Sequence, residues 1–205
     1  MKLFFAPGAC SLGIHVLLHE IGEPFEHVRM DLRSGEQFKP EFQAVNPKGK
    51  VPALLRDDGT TLTEYPAIAF WLAVSHPAAG LMPVGAEAQA RAIEATDYAV
   101  STVHMQGFSR IFRPANFAPD EASHEAVKAR GMEIFTKGLH TLDHALEGKQ
   151  WIAGDYSFAD SAAFYVTFWA AARLNLDLPD NLKAHYERML ARPAVQVTMK
   201  EEGLA

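Results

Sequence analysis

Leu3-Phe4-Phe5-Ala6-Pro7-Gly8-Ala9-Cys10-Ser11 is the stretch that decides the fold. A short apolar run halts at Pro7-Gly8, and a helical pattern starts at Ser11. Cys10, the single cysteine of the chain, stands at that junction. A strand, a turn and a helix N-terminus gather backbone N–H groups and a positive dipole end, which favour an anion. A thiolate is such an anion, so the setting predicts a thiol pKa below its usual value of ~8.5. The plainer reading of a lone cysteine is a small buried hydrophobe.

Working outward, Leu12, Val16, Leu17 and Ile21 recur at helical spacing, and Gly22 supplies the C-terminal stop. Phe25 to Met30 reads as a second strand, so the start is βαβ, with parallel strands and a right-handed crossover expected. Residues 33–45 are polar, then weakly helical around Pro40-Glu41-Phe42. Asn46-Pro47-Lys48-Gly49-Lys50 is a turn, and Val51-Pro52-Ala53-Leu54-Leu55 is a strand carrying a proline, which favours a sheet edge. Asp57-Asp58-Gly59-Thr60 turns into a short strand at Thr61-Leu62. A helix follows from Thr63 or Glu64, with Ile68, Ala69 and Leu72 inward, ending near Ser75-His76-Pro77.

Two prolines and two glycines in residues 76–86 mark a linker, and no strand signal follows it. Helical patterns run over 86–112, from 120 or 123 to 147, from Ser157 to about Leu174, over 181–191 and from Pro193. Ser157-Phe158-Ala159-Asp160 opens one of them as a capping box with aspartate in place of glutamate. The reading is α/β plus all-α: residues 1–77 with a mixed four-stranded sheet, a linker at 78–86, and a helical bundle at 87–205.

Composition narrows the function. The 205 residues are 48% hydrophobic and 21% charged, enough to fill a real core. A net charge of −6 disfavours nucleic acid and anionic membrane as partners, so an anionic ligand needs a locally basic site. One cysteine excludes an intrachain disulfide and fits a reducing compartment. The first residues are too short an apolar run for a signal peptide, and no stretch is apolar enough to span a membrane. A cytoplasmic protein with no metal is the expectation.

Four pieces together resemble the glutathione transferase family: Ala6-Pro7-Gly8-Ala9-Cys10-Ser11, Asn46-Pro47-Lys48-Gly49-Lys50-Val51-Pro52-Ala53-Leu54, Leu62-Thr63-Glu64 with Ala67-Ile68, and Phe158-Ala159-Asp160. They run from the first strand to the late helices, and Pro-Gly-Ala-Cys-Ser is close to the form of the bacterial cysteine-containing beta class. The resemblance implies a thioredoxin-like first domain. It also implies an enzyme that activates the thiol of glutathione for conjugation to an apolar electrophile, with thiol–disulfide or peroxide reduction through Cys10 as a variant. A detoxifying transferase that works as a homodimer is the corresponding expectation. A non-catalytic glutathione- or ligand-binding protein, or an interaction module on the same fold, is the alternative.

The resemblance assigns roles residue by residue. Cys10 and Ser11 are the catalytic candidates. The Val51-Pro52 bond is expected cis, with the backbone of Val51 pairing with the cysteinyl backbone of glutathione by strand addition. Glu64 is assigned the γ-glutamyl ammonium, and the following helix start its carboxylate. Tyr65 stands where relatives often carry serine or glycine, so only its backbone N–H carries over. Lys39 and Lys50 are candidates for the glycyl carboxylate, and Asp97 for a contact to the neighbouring subunit's γ-glutamyl group. Relatives often place a histidine in the first long helix of the second domain. The matching position here is Met105, which turns His104 about 100° aside and leaves Gln106 as a donor. Phe5, Gln106, Phe108 and Trp169 are candidates for an apolar second-substrate pocket.

Overall fold

Alternation along Lys2-Leu3-Phe4-Phe5 turns Leu3 and Phe5 to one face, where both are buried. This is β1 (Lys2–Phe5) of the computed structural model, which describes residues 1–205. Helix α1 (Ser11–Ile21) follows, buried without a break from Ser11 to Leu18, and Gly22 ends it at φ 77° with its N–H on the Leu18 carbonyl. Strand β2 (Glu26–Arg29) pairs parallel with β1. Helix α2 (Pro40–Gln43) is a single turn. Strands β3 (Ala53–Leu55) and β4 (Thr61–Thr63) complete a mixed sheet of order β2-β1-β3-β4. Strand β3 begins only after Pro52, since proline has no N–H to give a ladder.

Helix α3 (Tyr65–Ser75) buries Tyr65, Ile68, Ala69, Leu72 and Ala73. On the other face of the sheet Met30, Phe42 and Ala53 form a second cluster, with Phe4, Val28, Leu32, Val45 and Val51 packed against it. The polar-looking segment 31–46 therefore covers the sheet rather than looping away from it.

The second unit, Val84–Glu187, is helical. Helix α4 (Ala86–Asp97) leads into wide i→i+5 turns over Tyr98–Phe108 and then α5 (Ser109–Phe112). The long helix expected over 86–112 is thus continuous, but its middle is underwound. Helix α6 (His124–Ala145) lies so close to this middle that a Cβ on Gly107 would stand 2.9 Å from the Phe135 backbone. Helix α7 (Phe158–Phe168) is wholly buried and opens on the expected capping box of Ser157 and Asp160. Helix α8 (Asp180–Leu190) contributes buried Leu182 and His185.

Helix α9 (Pro193–Glu202) corrects the expected boundary. Residues 188–205 belong to the first compact unit, with Met1–Pro83, rather than to the helical bundle. Helix α9 packs on α1, and polar ties fix it there. The Gly8 N–H donates to Glu202 Oε2 at 2.7 Å, His15 Nδ1 lies 3.0 Å from Glu202 Oε1, and Arg192 clasps Glu20 with contacts of 2.6 and 2.9 Å.

Candidate functional site

Register places the site. Phe4 of β1 faces Ala53 of β3, and Ala53 faces Thr63 of β4. The C-terminal end of β1, the N-terminal end of β3 and the C-terminal end of β4 therefore share one sheet margin. Three connections meet there: Ala6 to Cys10, Lys50 to Pro52, and Glu64 into α3.

Cys10 is the N-cap of α1, and its Sγ–H donates to the Val51 carbonyl at 3.5 Å. Burial pushes this thiol up to about 12 from an ordinary 9.0. The N–H groups of Cys10 and Ser11 pull the other way, as the helix start should, and so does Lys50, but burial prevails with Glu64 on its side. The expectation of a lowered pKa is thus overturned, because desolvation outweighs the dipole. In the ligand-free protein Cys10 is a neutral hydrogen-bond donor.

Ser11 is fully buried, and its hydroxyl accepts from the Ala6 N–H at 3.2 Å and donates to the Ala6 carbonyl at 3.3 Å. The hydroxyl thus locks the β1–α1 turn, while the Ser11 N–H faces the Cys10 sulfur.

The Val51-Pro52 bond is cis. The turn before it is held by Asn46, which is buried. Its Nδ2 donates to the Lys50 carbonyl at 2.7 Å, and its Oδ1 accepts from the Lys48 N–H at 3.1 Å. Gly49 has φ 61°, a conformation that favours glycine, and a Cβ there would stand 3.2 Å from the Gln37 carbonyl.

Glu64 has φ 69° and ψ 125°, a conformation that a non-glycine residue keeps only where its surroundings impose it. Its carboxylate accepts from Lys48 Nζ at 2.8 Å, and the same ammonium reaches Thr63 Oγ1 at 2.9 Å. Both side chains are more than half exposed, 52% for Lys48 and 60% for Glu64. Such a pair contributes no more than about 1 kcal/mol. Tyr65 is 3% exposed, so its ring is packed away instead of standing in solvent at the helix start. Lys50 is exposed beside Val51, while exposed Lys39 faces Glu36 at 3.9 Å.

Phe5 is core and does not line an open pocket, its ring lying 5.1 Å from that of His15 and 5.6 Å from that of His27. In the second unit Phe108 and Trp169 are both buried and stack on each other at 4.1 Å. His104 packs edge-on against Trp169 at 4.7 Å and lies 3.4 Å from the Tyr165 hydroxyl. Gln106 is exposed, and its Oε1 accepts from Arg110. Asp97 is exposed at the end of α4, with Ser101 Oγ 3.5 Å away.

The structure thus gathers Cys10, Lys50, Val51, Pro52 and Glu64 at one margin of the first unit. Asn46 and Lys48 join them. Asn46-Pro47 carries a turn signal in sequence, but the reach of Lys48 to Glu64 depends on tertiary register.

Known proteins with similar sequences and structures agree in kind. The family profile "Glutathione S-transferase, N-terminal domain" matches residues 8–74, and "Glutathione S-transferase, C-terminal domain" matches residues 100–193. Glutathione S-transferase GstA of Escherichia coli O157:H7 is 41% identical over 208 residues, spanning all of both chains. A glutathione transferase homologue from Sulfitobacter, solved with bound glutathione, superposes with a TM-score of 0.91 at 31% identity, covering 100% of this chain and 98% of the other. The bacterial beta class glutathione S-transferase of Sphingomonas chungbukensis gives 0.86 at 37% identity, with both chains fully covered.

Proposed function

The chain belongs to the glutathione S-transferase family, and from that premise we propose that it binds glutathione along the Val51–Glu64 margin and transfers the glutathione thiolate to an apolar electrophile. The observation that carries the reading is the neutral Cys10 thiol donating to the Val51 carbonyl. The cysteinyl N–H of glutathione takes over that carbonyl by strand addition. The Cys10 S–H is then released to donate to the glutathione sulfur. A hydrogen bond to the charged form favours the thiolate, which is the nucleophile of the transfer.

The remaining groups bind the ends of the peptide. Glu64 takes the γ-glutamyl ammonium, the start of α3 its carboxylate, and Lys50, with Lys39 or Lys48, the glycyl carboxylate. The exchange of partners at Glu64 is cheap, because its exposed pairing with Lys48 is weak. Thiol–disulfide exchange or peroxide reduction through Cys10 draws on the same sulfur, but needs it ionised first.

Glutathione titrated calorimetrically should bind the wild type, and conjugation should follow with a panel of aromatic halides and epoxides. Glu64→Gln should weaken binding about 10- to 100-fold, the worth of a charge-assisted hydrogen bond. Failure of the wild type to bind glutathione overturns the reading. Binding without turnover on any electrophile would favour the non-catalytic alternative.

We further read the protein as a cytoplasmic, detoxifying homodimer, with Asp97 offered to the partner subunit's site. A single free thiol suits a reducing compartment. Exposed Phe70 and Ile93 are apolar side chains of the kind an interface covers. Sedimentation velocity at micromolar concentration should give twice the monomer mass, and a monomer there rules the dimer out.

A further inference from the structure

Behind the β1–α1 turn, three histidines close on one carboxylate oxygen. His15 and His19 lie one turn apart on the same face of α1, His27 comes from β2, and Glu201 and Glu202 come from α9. Glu201 Oε2 stands 3.0 Å from His15 Nε2, 2.9 Å from His19 Nε2 and 3.6 Å from His27 Nδ1. Donor atoms of His15, His27 and Glu201 all lie within 4.8 Å of one another. Phe5 and Phe25 pack against the imidazole rings and narrow the access of water.

Polar atoms crowd at one point of this cluster. Fully buried His15 faces carboxylate oxygens from both nitrogens at 3.0 Å, Glu202 at Nδ1 and Glu201 at Nε2. One oxygen of Glu201 also faces three ring nitrogens, more than its two lone pairs serve well.

We propose that His15, His27 and Glu201 bind a borderline divalent transition metal of the zinc type, with His19 beside Glu201 and Glu202 orienting His15 from behind. Two imidazoles and one carboxylate, with a water in the fourth position, suit tetrahedral zinc, whereas calcium and magnesium want all-oxygen shells. A zinc–nitrogen bond near 2.0–2.1 Å sets ligand–ligand edges of about 3.3 Å in a tetrahedron, and the oxygen–nitrogen separations of 3.0 and 3.6 Å straddle that value. Glu202 on His15 Nδ1 is the carboxylate–histidine pairing that fixes a ligand's tautomer. His27 and Glu201 are partly exposed, which leaves an entry path. The ion ties α9 to α1 and β2 within the first unit.

Tag-free protein, stripped with a chelator, should bind one Zn2+ per chain by calorimetry and raise its thermal midpoint by several degrees when the ion is in large excess over Kd. Co2+ in its place should give the intense visible absorption of a tetrahedral site. His27→Ala and Glu201→Gln, both at partly exposed positions, should each weaken Zn2+ binding at least about 10-fold. His144→Ala, at an exposed histidine of the second unit, should leave it unchanged. Absence of a cobalt band and of a zinc-induced thermal shift in the wild type overturns the proposal. So does wild-type zinc affinity in both His27→Ala and Glu201→Gln, which would place the ion elsewhere.

Discussion

Asp160→Ala is expected to lower stability by about 3–5 kcal/mol, a large part of the ~5–15 kcal/mol that holds a typical domain folded. The carboxylate is fully buried. It accepts from the Ser157 N–H at 2.8 Å, the Ile152 N–H at 3.0 Å, the Ser157 hydroxyl at 3.3 Å and His185 Nε2 at 3.0 Å. Losing a cap alone costs about 0.5–2 kcal/mol. Here alanine also strands donors from a loop and a second helix where water cannot replace the acceptor, at about 1–3 kcal/mol each before relaxation. Denaturant unfolding with the slope held fixed measures the loss. A change below about 1 kcal/mol would mean that these donors find other partners.

Cys10 carries the second large effect. At pH 8 a thiol near 12 is ionised about one part in ten thousand, against roughly one in ten at its ordinary value, so native Cys10 should react with iodoacetamide about 1,000-fold more slowly than in the unfolded chain. The native pKa lies above the unfolded one, so the proton is held more tightly in the folded protein. The stability this contributes is complete below the ordinary thiol value and is lost as pH rises towards about 12. Alkylation of the ligand-free protein, followed by mass spectrometry from pH 7 to 10, should accelerate throughout without a plateau. A plateau near pH 7 would show a thiolate already formed.

These two residues also mark what can be read from sequence. Ser157 to Asp160 was legible because a capping box is local: both partners lie within one helical turn. The strand–turn–helix around Cys10, the stop at Gly22 and the inner face of α3 were legible for the same reason, through periodicity and punctuation. The thiol's pKa was not. The helix start that favours ionisation is local, whereas the burial that opposes it is supplied by distant segments. Nor was the engagement of the Ser11 hydroxyl by the Ala6 backbone legible, since it depends on how the turn folds back. The backbone of Glu64 and the reach of Lys48 are set by strand register, and no spacing announces either one. Nor does a helix name its partner: the pattern of α9 says that it buries one face, but not that the face belongs against α1.

That last helix has a consequence for how the protein is made. Gly8 and Glu202 are separated by 194 residues, yet both belong to the unit whose larger part is synthesised first. On the ribosome the sheet and α1 emerge early, but their polar closure must wait until the whole helical unit has been translated. Until then the buried faces of α1 and the Gly8 amide lack their native cover. The first unit is therefore completed last, and the early chain waits on the late one in a way that N-to-C order alone does not suggest.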